Sequence, residues 1–129
     1  MRQDDGISRR VIGCAFKVSN GLGAGFLESV YENALCIELA DNGIAFERQK
    51  ELIVRYRGRI VGTFVADLVV EGCLLVELKA VNRHLPEHEA QVMNYLRATG
   101  LSVGLLLNFG LPRLDVRRIV WQHDDEVLI

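Results

Sequence analysis

Three residues of this 129-residue chain carry charge inside otherwise oily stretches. Glu77 and Lys79 lie in Leu74-Leu75-Val76-Glu77-Leu78-Lys79-Ala80, and Asp67 stands alone in Val65-Ala66-Asp67-Leu68-Val69-Val70. Side chains alternate across a strand, so Glu77 and Lys79 share one face while Leu74, Val76 and Leu78 line the other. An internal strand would carry both charges into the protein, at a cost of several kcal/mol per unpartnered ion. A turn at Glu71-Gly72 leaves Asp67 and Glu77 equally far from its tip, so their carboxylates can converge across a strand pair. Two anions and an ammonium in a partly dry site repel and strain unless a cation joins the carboxylates. A small, hard divalent ion with oxygen ligands meets that need. Lys79 would then stand beside the ion, placed to position or deprotonate a water and to offset charge on a phosphate. The bland alternative is a buried Glu77–Lys79 salt bridge, with Asp67 capping a turn elsewhere.

Two helices offer further polar groups. Glu28 opens one of them within Gly25-Phe26-Leu27-Glu28-Ser29-Val30-Tyr31, with Tyr31 three residues on and on the same face. On a later helix Gln91 and Tyr95 are four apart and His88 precedes Gln91 by three, which makes a polar stripe on an otherwise apolar helix. Alone, Glu28 is a favourable acid at a helix N-terminus, and Gln91 and Tyr95 an ordinary polar boundary.

The elements that must position these groups follow from periodicity. Ile7, Val11, Ile12, Ala15, Phe16 and Val18 recur at helical spacing from Ile7 to Val18, with Ser8 near the start; Asn20 to Gly25 breaks the helix. Leu27, Val30, Tyr31, Ala34, Leu35 and Leu39 resume the period until Gly43. The middle of the chain changes period. Leu52 to Tyr56, a turn at Arg57-Gly58-Arg59 and Ile60 to Val70 predict a hairpin, followed by a strand from Cys73 to Lys79 in a three-stranded antiparallel meander. Pro86 suits a first helical turn, Glu87 to Thr99 continues that helix to Gly100, and strands are expected at Val103 to Asn108 and Val116 to Trp121. The order predicts an α/β sandwich with a mixed sheet in which the strand of Glu77 is internal and apolar on both faces.

Length and composition bound the rest. The chain has the size of one ordinary domain, spanning 1–129, with half its residues hydrophobic and a quarter charged. Cys14, Cys36 and Cys73 are odd in number and form no CxxC pair, so they read as small buried residues in a reducing compartment. The N-terminus has no apolar signal core and no run is long enough to span a bilayer, which predicts a cytoplasmic protein without a membrane partner. A net charge of −2 gives no support to indiscriminate nucleic-acid binding. Such a partner needs a local patch, and the basic clusters are Arg55, Arg57 and Arg59; Arg113, Arg117 and Arg118; and Arg9, Arg10 and Lys17. Each alone is read first as solvated surface.

Taken in order, GxxExxY ("GFLESVY"), the Asp strand ("VADLVV"), ExK ("VELKAV") and a QxxxY helix ("HEAQVMNYL") resemble the GxxExxY family of the PD-(D/E)XK nuclease superfamily. The resemblance runs from about Val11 to Val120 and includes "ATGLSVGLLLNFG". It implies a restriction-endonuclease-like sandwich of core order α-β-β-β-α-β and a nuclease that hydrolyses phosphodiester bonds with Mg²⁺ or Mn²⁺. Asp67 and Glu77 would ligate the metal, Lys79 would be the catalytic lysine, and Glu28 would be an additional carboxylate near the metal. Gln91 and Tyr95 would be the QxxxY pair of the RecB-like branch, contacting substrate or orienting the lysine, with Tyr31 in support. Nucleic acid, DNA or RNA, would be the substrate; the oligomeric state, a homodimer included, stays open. Ser19 and Ala24 depart from the family pattern, where histidine and proline are frequent, and this bears on the loop rather than the metal set.

Other readings compete. Gly21-Leu22-Gly23-Ala24-Gly25 invites a dinucleotide site, but GxGxxG would need glycine at Phe26 or at Glu28. His84 and His88 could hold a transition metal, yet Pro86 starts the helix after His84 and no third ligand is evident, so a solvent-exposed pair is expected. The serious rival is a non-catalytic nuclease fold that binds nucleic acid or a protein partner, favoured by the small size and the lack of a strong basic stripe.

Overall fold

The computed structural model describes residues 3–122. Helices α1 (Gln3–Leu22) and α2 (Glu28–Asp41) are followed by strands β1 (Phe46–Tyr56), β2 (Arg59–Val70) and β3 (Leu74–Lys79). Helix α3 (Pro86–Thr99) and strands β4 (Val103–Asn108) and β5 (Asp115–Val120) complete the order. The five strands form one mixed sheet in sequence order, with β3 parallel to β4 and every other pairing antiparallel. This is the α/β sandwich expected, with β3 at the centre.

Helices cover both faces. Val11, Cys14, Ala15 and Val18 of α1 and Tyr31, Leu35 and Leu39 of α2 pack on Leu68, Val70, Leu74, Val76, Leu78 and Leu105. On the opposite face Val92 and Leu96 of α3 pack on Ala66, Val69, Leu75, Leu106 and Ile119. The parallel β3–β4 pair is thus apolar on both sides, as a doubly covered pair requires, with Glu77 at 5% exposure and Asn108 at 3% as its buried polar exceptions.

Helix α1 runs through Asn20-Gly21, where the sequence predicts a break. The Gly23 amide donates to the Ser19 carbonyl at 2.9 Å and Gly23 takes the left-handed conformation that ends the helix, so a single Gly21 is tolerated inside it. Strand β1 begins at Phe46, six residues before the expected Leu52, because Phe46 to Lys50 pairs with Ala66 to Val70. That segment, Phe46-Glu47-Arg48-Gln49-Lys50, is too polar to read as strand.

The hairpin changes sides at one rung. Phe46 on β1 and Leu68 and Val70 on β2 pack with the α1/α2 layer, whereas Leu52 and Ala66 pack with α3 and Phe64 stacks on Tyr95 of α3 at 3.7 Å. A one-residue slip in side-chain phase falls at Gln49 and Asp67, where the pairing skips from Arg48↔Leu68 to Lys50↔Ala66 and Gln49 takes φ 47°. The tip of the hairpin therefore lies over α3, and Asp67 stands at the switch.

Gly104 sets the distance of α3 from the sheet. A Cβ there would lie 2.7 Å from Val92 Cγ1, inside any tolerable contact, so α3 sits where it does because β4 has no side chain at that point. Gly104→Val is expected to cost about 1–3 kcal/mol as α3 is pushed outward. Urea denaturation measures it, and an unchanged midpoint and slope would show that the helix is held by other contacts.

Candidate active site

The pairing of β2 with β3 runs from Val70↔Leu74 to Leu68↔Val76 and stops there. The next rung would join Asp67 to Glu77, and side chains take over from backbone. The Asp67 amide donates to Glu77 Oε1 at 2.9 Å, and the Leu78 amide donates to Asp67 Oδ2 at 2.8 Å. Each carboxylate thus substitutes for a ladder carbonyl as the two strands part, and the two are brought together across the gap. Asp67 caps no turn elsewhere.

Burial and charge both act on these carboxyls. Burial, then the Asp67 carboxylate, pushes Glu77 up to about 8, only partly opposed by the Asp67 amide and by Lys79. Burial raises Asp67 too, against the Leu78 amide, with the Glu32 carboxylate adding to the rise. Glu28, the first residue of α2, is raised by desolvation and then by Asp67. Lys79 acts on Glu28, Asp67 and Glu77 in the opposite sense, which puts one ammonium among these anions. Among the described residues it forms no salt bridge with Glu77.

The end of β3 is held firmly. Lys79 pairs with Asn108 of β4, the Lys79 carbonyl accepts from the Phe109 amide at 2.8 Å, and Asn108 Oδ1 accepts from the amides of Val81 and Gly110. Helix α3 supplies the other wall. Tyr95 carries a raised pKa through burial and the nearby Glu77 and Asp67, eased by a hydrogen bond with Gln91. His88 is lowered by burial and by Lys79. His84 is half-buried and bonded to Glu89 at 2.6 Å, so the expected solvent-exposed histidine pair is not found.

Tyr31 does not share the surface of Glu28. It is fully buried, stacks on Phe109 at 4.8 Å, donates to the Gly23 carbonyl at 2.6 Å and accepts from the Phe26 amide. It ties the glycine loop to the core and so sets where α2 begins, while Glu28 itself is exposed at the rim.

Two residues escaped the sequence reading. Glu32, buried one helical turn beyond Glu28, accepts from Arg48 at 2.9 Å and from Gln49 Nε2 at 2.7 Å; Gln49 Nε2 also reaches Asp67 Oδ1 at 3.4 Å. Gln49 thus links α2 to Asp67 from a left-handed backbone that glutamine rarely adopts. The signal for Glu32 was its four-residue spacing from Glu28; Gln49 had none.

The donor set suits a hard cation. It offers carboxylate oxygens only, from carboxyls raised by burial and, after that, by neighbouring anions. Among the described residues no three ligating side chains already enclose an ion position. An ion that keeps several waters and needs one or two carboxylates, as Mg²⁺ does, fits such a set; one that demands a closed protein cage does not.

Residues 5–119 match the model of the PD-(D/E)XK nuclease superfamily, and the chain belongs to that superfamily. Among solved structures, the crystal structure of SSO0001 aligns with a TM-score of 0.58 at 20% identity, over 78% of this chain and 52% of that one. The likeness is one of fold, and the chain spans about half the length of that protein. No curated protein matches the chain by sequence. Among the described residues no helix is long and apolar enough to cross a membrane.

The raised carboxyl of Glu77 makes metal-free stability depend on pH. Between its ordinary value of 4.5 and about 8 the folded chain holds a proton that the unfolded chain has lost. Stability is therefore greatest at the acid end of that interval and is lost as pH rises through it; Asp67, raised as well, adds in the same direction. In chelator the melting temperature is expected to fall from pH 5 to pH 8, and Glu77→Gln to flatten that slope. An identical slope in the variant would mean that Glu77 ionises normally.

Proposed function

We propose that the chain is a metal-dependent phosphodiesterase of the GxxExxY type that hydrolyses nucleic acid, built as one domain over 1–129. The observation that carries this reading is the parted rung of Asp67 and Glu77, with Lys79 one alternation further along β3. Asp67 and Glu77 would hold Mg²⁺ or Mn²⁺, with Glu28 adding negative charge from the rim. When bound, the ion supplies a Lewis acid for the phosphoryl oxygen and lowers the pKa of water.

The remaining chemistry belongs to the chain. Lys79 would offset with its ammonium the charge gathering on a pentacoordinate phosphorus and orient the attacking water. Because it is not tied to Glu77, it keeps its donors for that task. Gln91 and Tyr95, hydrogen-bonded to each other on the α3 side, would contact substrate or orient the lysine. Gln49 and Glu32 hold Asp67 from behind and act as positioning residues.

Metal binding is expected to raise the melting temperature of the wild type, since the ion relieves carboxylate repulsion in the folded state alone. Asp67→Asn should abolish that rise and leave the protein folded. An equal response to Mn²⁺ in wild type and variant would remove Asp67 from the site.

Lys79→Ala separates catalysis from metal binding. It is expected to lose oligonucleotide cleavage by about 100-fold or more, in line with loss of a charge that stabilises the transition state, while the metal-induced rise in melting temperature persists. Cleavage at the wild-type rate would sink the mechanism, and no cleavage by the wild type with either ion would return the chain to a non-catalytic binding module.

A further inference from the structure

A cavity lies beside the carboxylates rather than over them. It has a volume of about 600 Å³ and opens between the tip of the β1–β2 hairpin and α3. Val54, Val61 and Phe64 from the hairpin and Tyr95 and Ala98 from α3 give it an apolar lining, with Arg55 on its edge. Gly62 faces it without a side chain, and a Cβ there would meet nothing within 4 Å.

Three features say what it holds. Its volume lies within the range of small-molecule pockets and is ample for a nucleobase. Two arginines line it, Arg55 from the hairpin and Arg97 from α3, and Arg57 and Arg59 follow at the hairpin turn, with Arg57 lying 5.5 Å over the ring of Tyr56. The chain is net acidic, so this local run of cations on an arm is a feature of the arm and not of the whole surface. Finally, Tyr95 of α3 is common to the cavity lining and to the α3 side of the candidate active site. Tyr95 stacks on Phe64 in the cavity wall and also feels the charge of Glu77 and Asp67.

We propose that this cavity binds an unpaired nucleobase of the strand whose phosphate lies at Asp67 and Glu77, while Arg55 and the hairpin arginines take the adjoining phosphates. An apolar slot with cations at its mouth is the arrangement that grips single strands without regard to sequence. A paired base cannot enter it, because its edges are occupied and its faces are stacked in the duplex. The hairpin thereby selects single-stranded or frayed segments. The inference rests on the nucleic-acid reading of the same site, but the cavity can be tested without cleavage.

The experiment measures binding of fluorescent oligo-dT, oligo-U and the dT·dA duplex by anisotropy in EDTA, for wild type, Gly62→Leu and Arg55→Glu. Gly62→Leu fills the slot where nothing obstructs a Cβ, and Arg55→Glu reverses the charge at its mouth while leaving the core untouched. Each variant is expected to weaken single-strand binding about ten-fold, the order of one lost base stack, and duplex binding by less than about two-fold. Comparison of oligo-dT with oligo-U tells which strand the cavity takes. Single-strand and duplex affinities that fall together, or that do not change in Arg55→Glu, would overturn the proposal, and they can be read even if Gly62→Leu fails to fold.

The two readings fail separately. Wild-type protein that binds single strands through the cavity but never cleaves with Mg²⁺ or Mn²⁺ would sink the nuclease reading and keep the cavity. Wild-type protein that cleaves, with Gly62→Leu and Arg55→Glu cleaving single strands and duplex in the wild-type ratio, would sink the cavity alone.

Discussion

Two carboxylates stand in for backbone carbonyls at the point where β2 leaves β3, and the geometry of the candidate site depends on that substitution. Beyond Leu68↔Val76 the ladder has no partner for the Asp67 and Leu78 amides, and a buried amide left unpaired costs about 1–3 kcal/mol. Glu77 and Asp67 satisfy one each. The same two bonds fix both carboxyl groups, hold them within reach of each other, and leave one oxygen of each uncommitted to the ladder. Fold stability and site geometry are thus one arrangement, and its cost in the absence of a cation is the burial that raises both carboxyls, with Asp67 adding to the rise of Glu77 and Glu32 to that of Asp67.

The surroundings follow from keeping that rung in place. Helix α3 approaches closely because Gly104 lacks a side chain, and this brings Gln91, Tyr95 and His88 to one side. Tyr31 anchors the glycine loop and so starts α2 with Glu28 at the rim. The phase slip at Gln49 and Asp67 turns the hairpin over α3, which creates the cavity and places Arg55 on its lining.

Much of this was legible in the sequence, for physical reasons that differ by element. The period of two in β3 and β4 and the symmetric placing of Asp67 and Glu77 about Glu71-Gly72 encode the central rung, because a tight turn fixes register. The face of α2 was misjudged. Three residues on from Glu28 lies about 60° round the helix on one side and four residues on about 40° on the other, so Glu32 rather than Tyr31 is its neighbour. Tyr31 is drawn to the core by its ring and by a carbonyl that needs its hydroxyl. The switch of faces at Gln49 could not be read at all, since it reflects which helix layer covers each half of the hairpin and not any local preference of Phe46 to Lys50.

The central claim is that Asp67 and Glu77 together hold a divalent ion. Anomalous diffraction from crystals grown with Mn²⁺ tests it most directly. The account predicts a peak between the two carboxyl groups, within about 2.0–2.4 Å of an oxygen of each, with water completing the coordination. A structure saturated with Mn²⁺ in which that position is vacant, or in which Lys79 swings in to neutralise the pair, would contradict it.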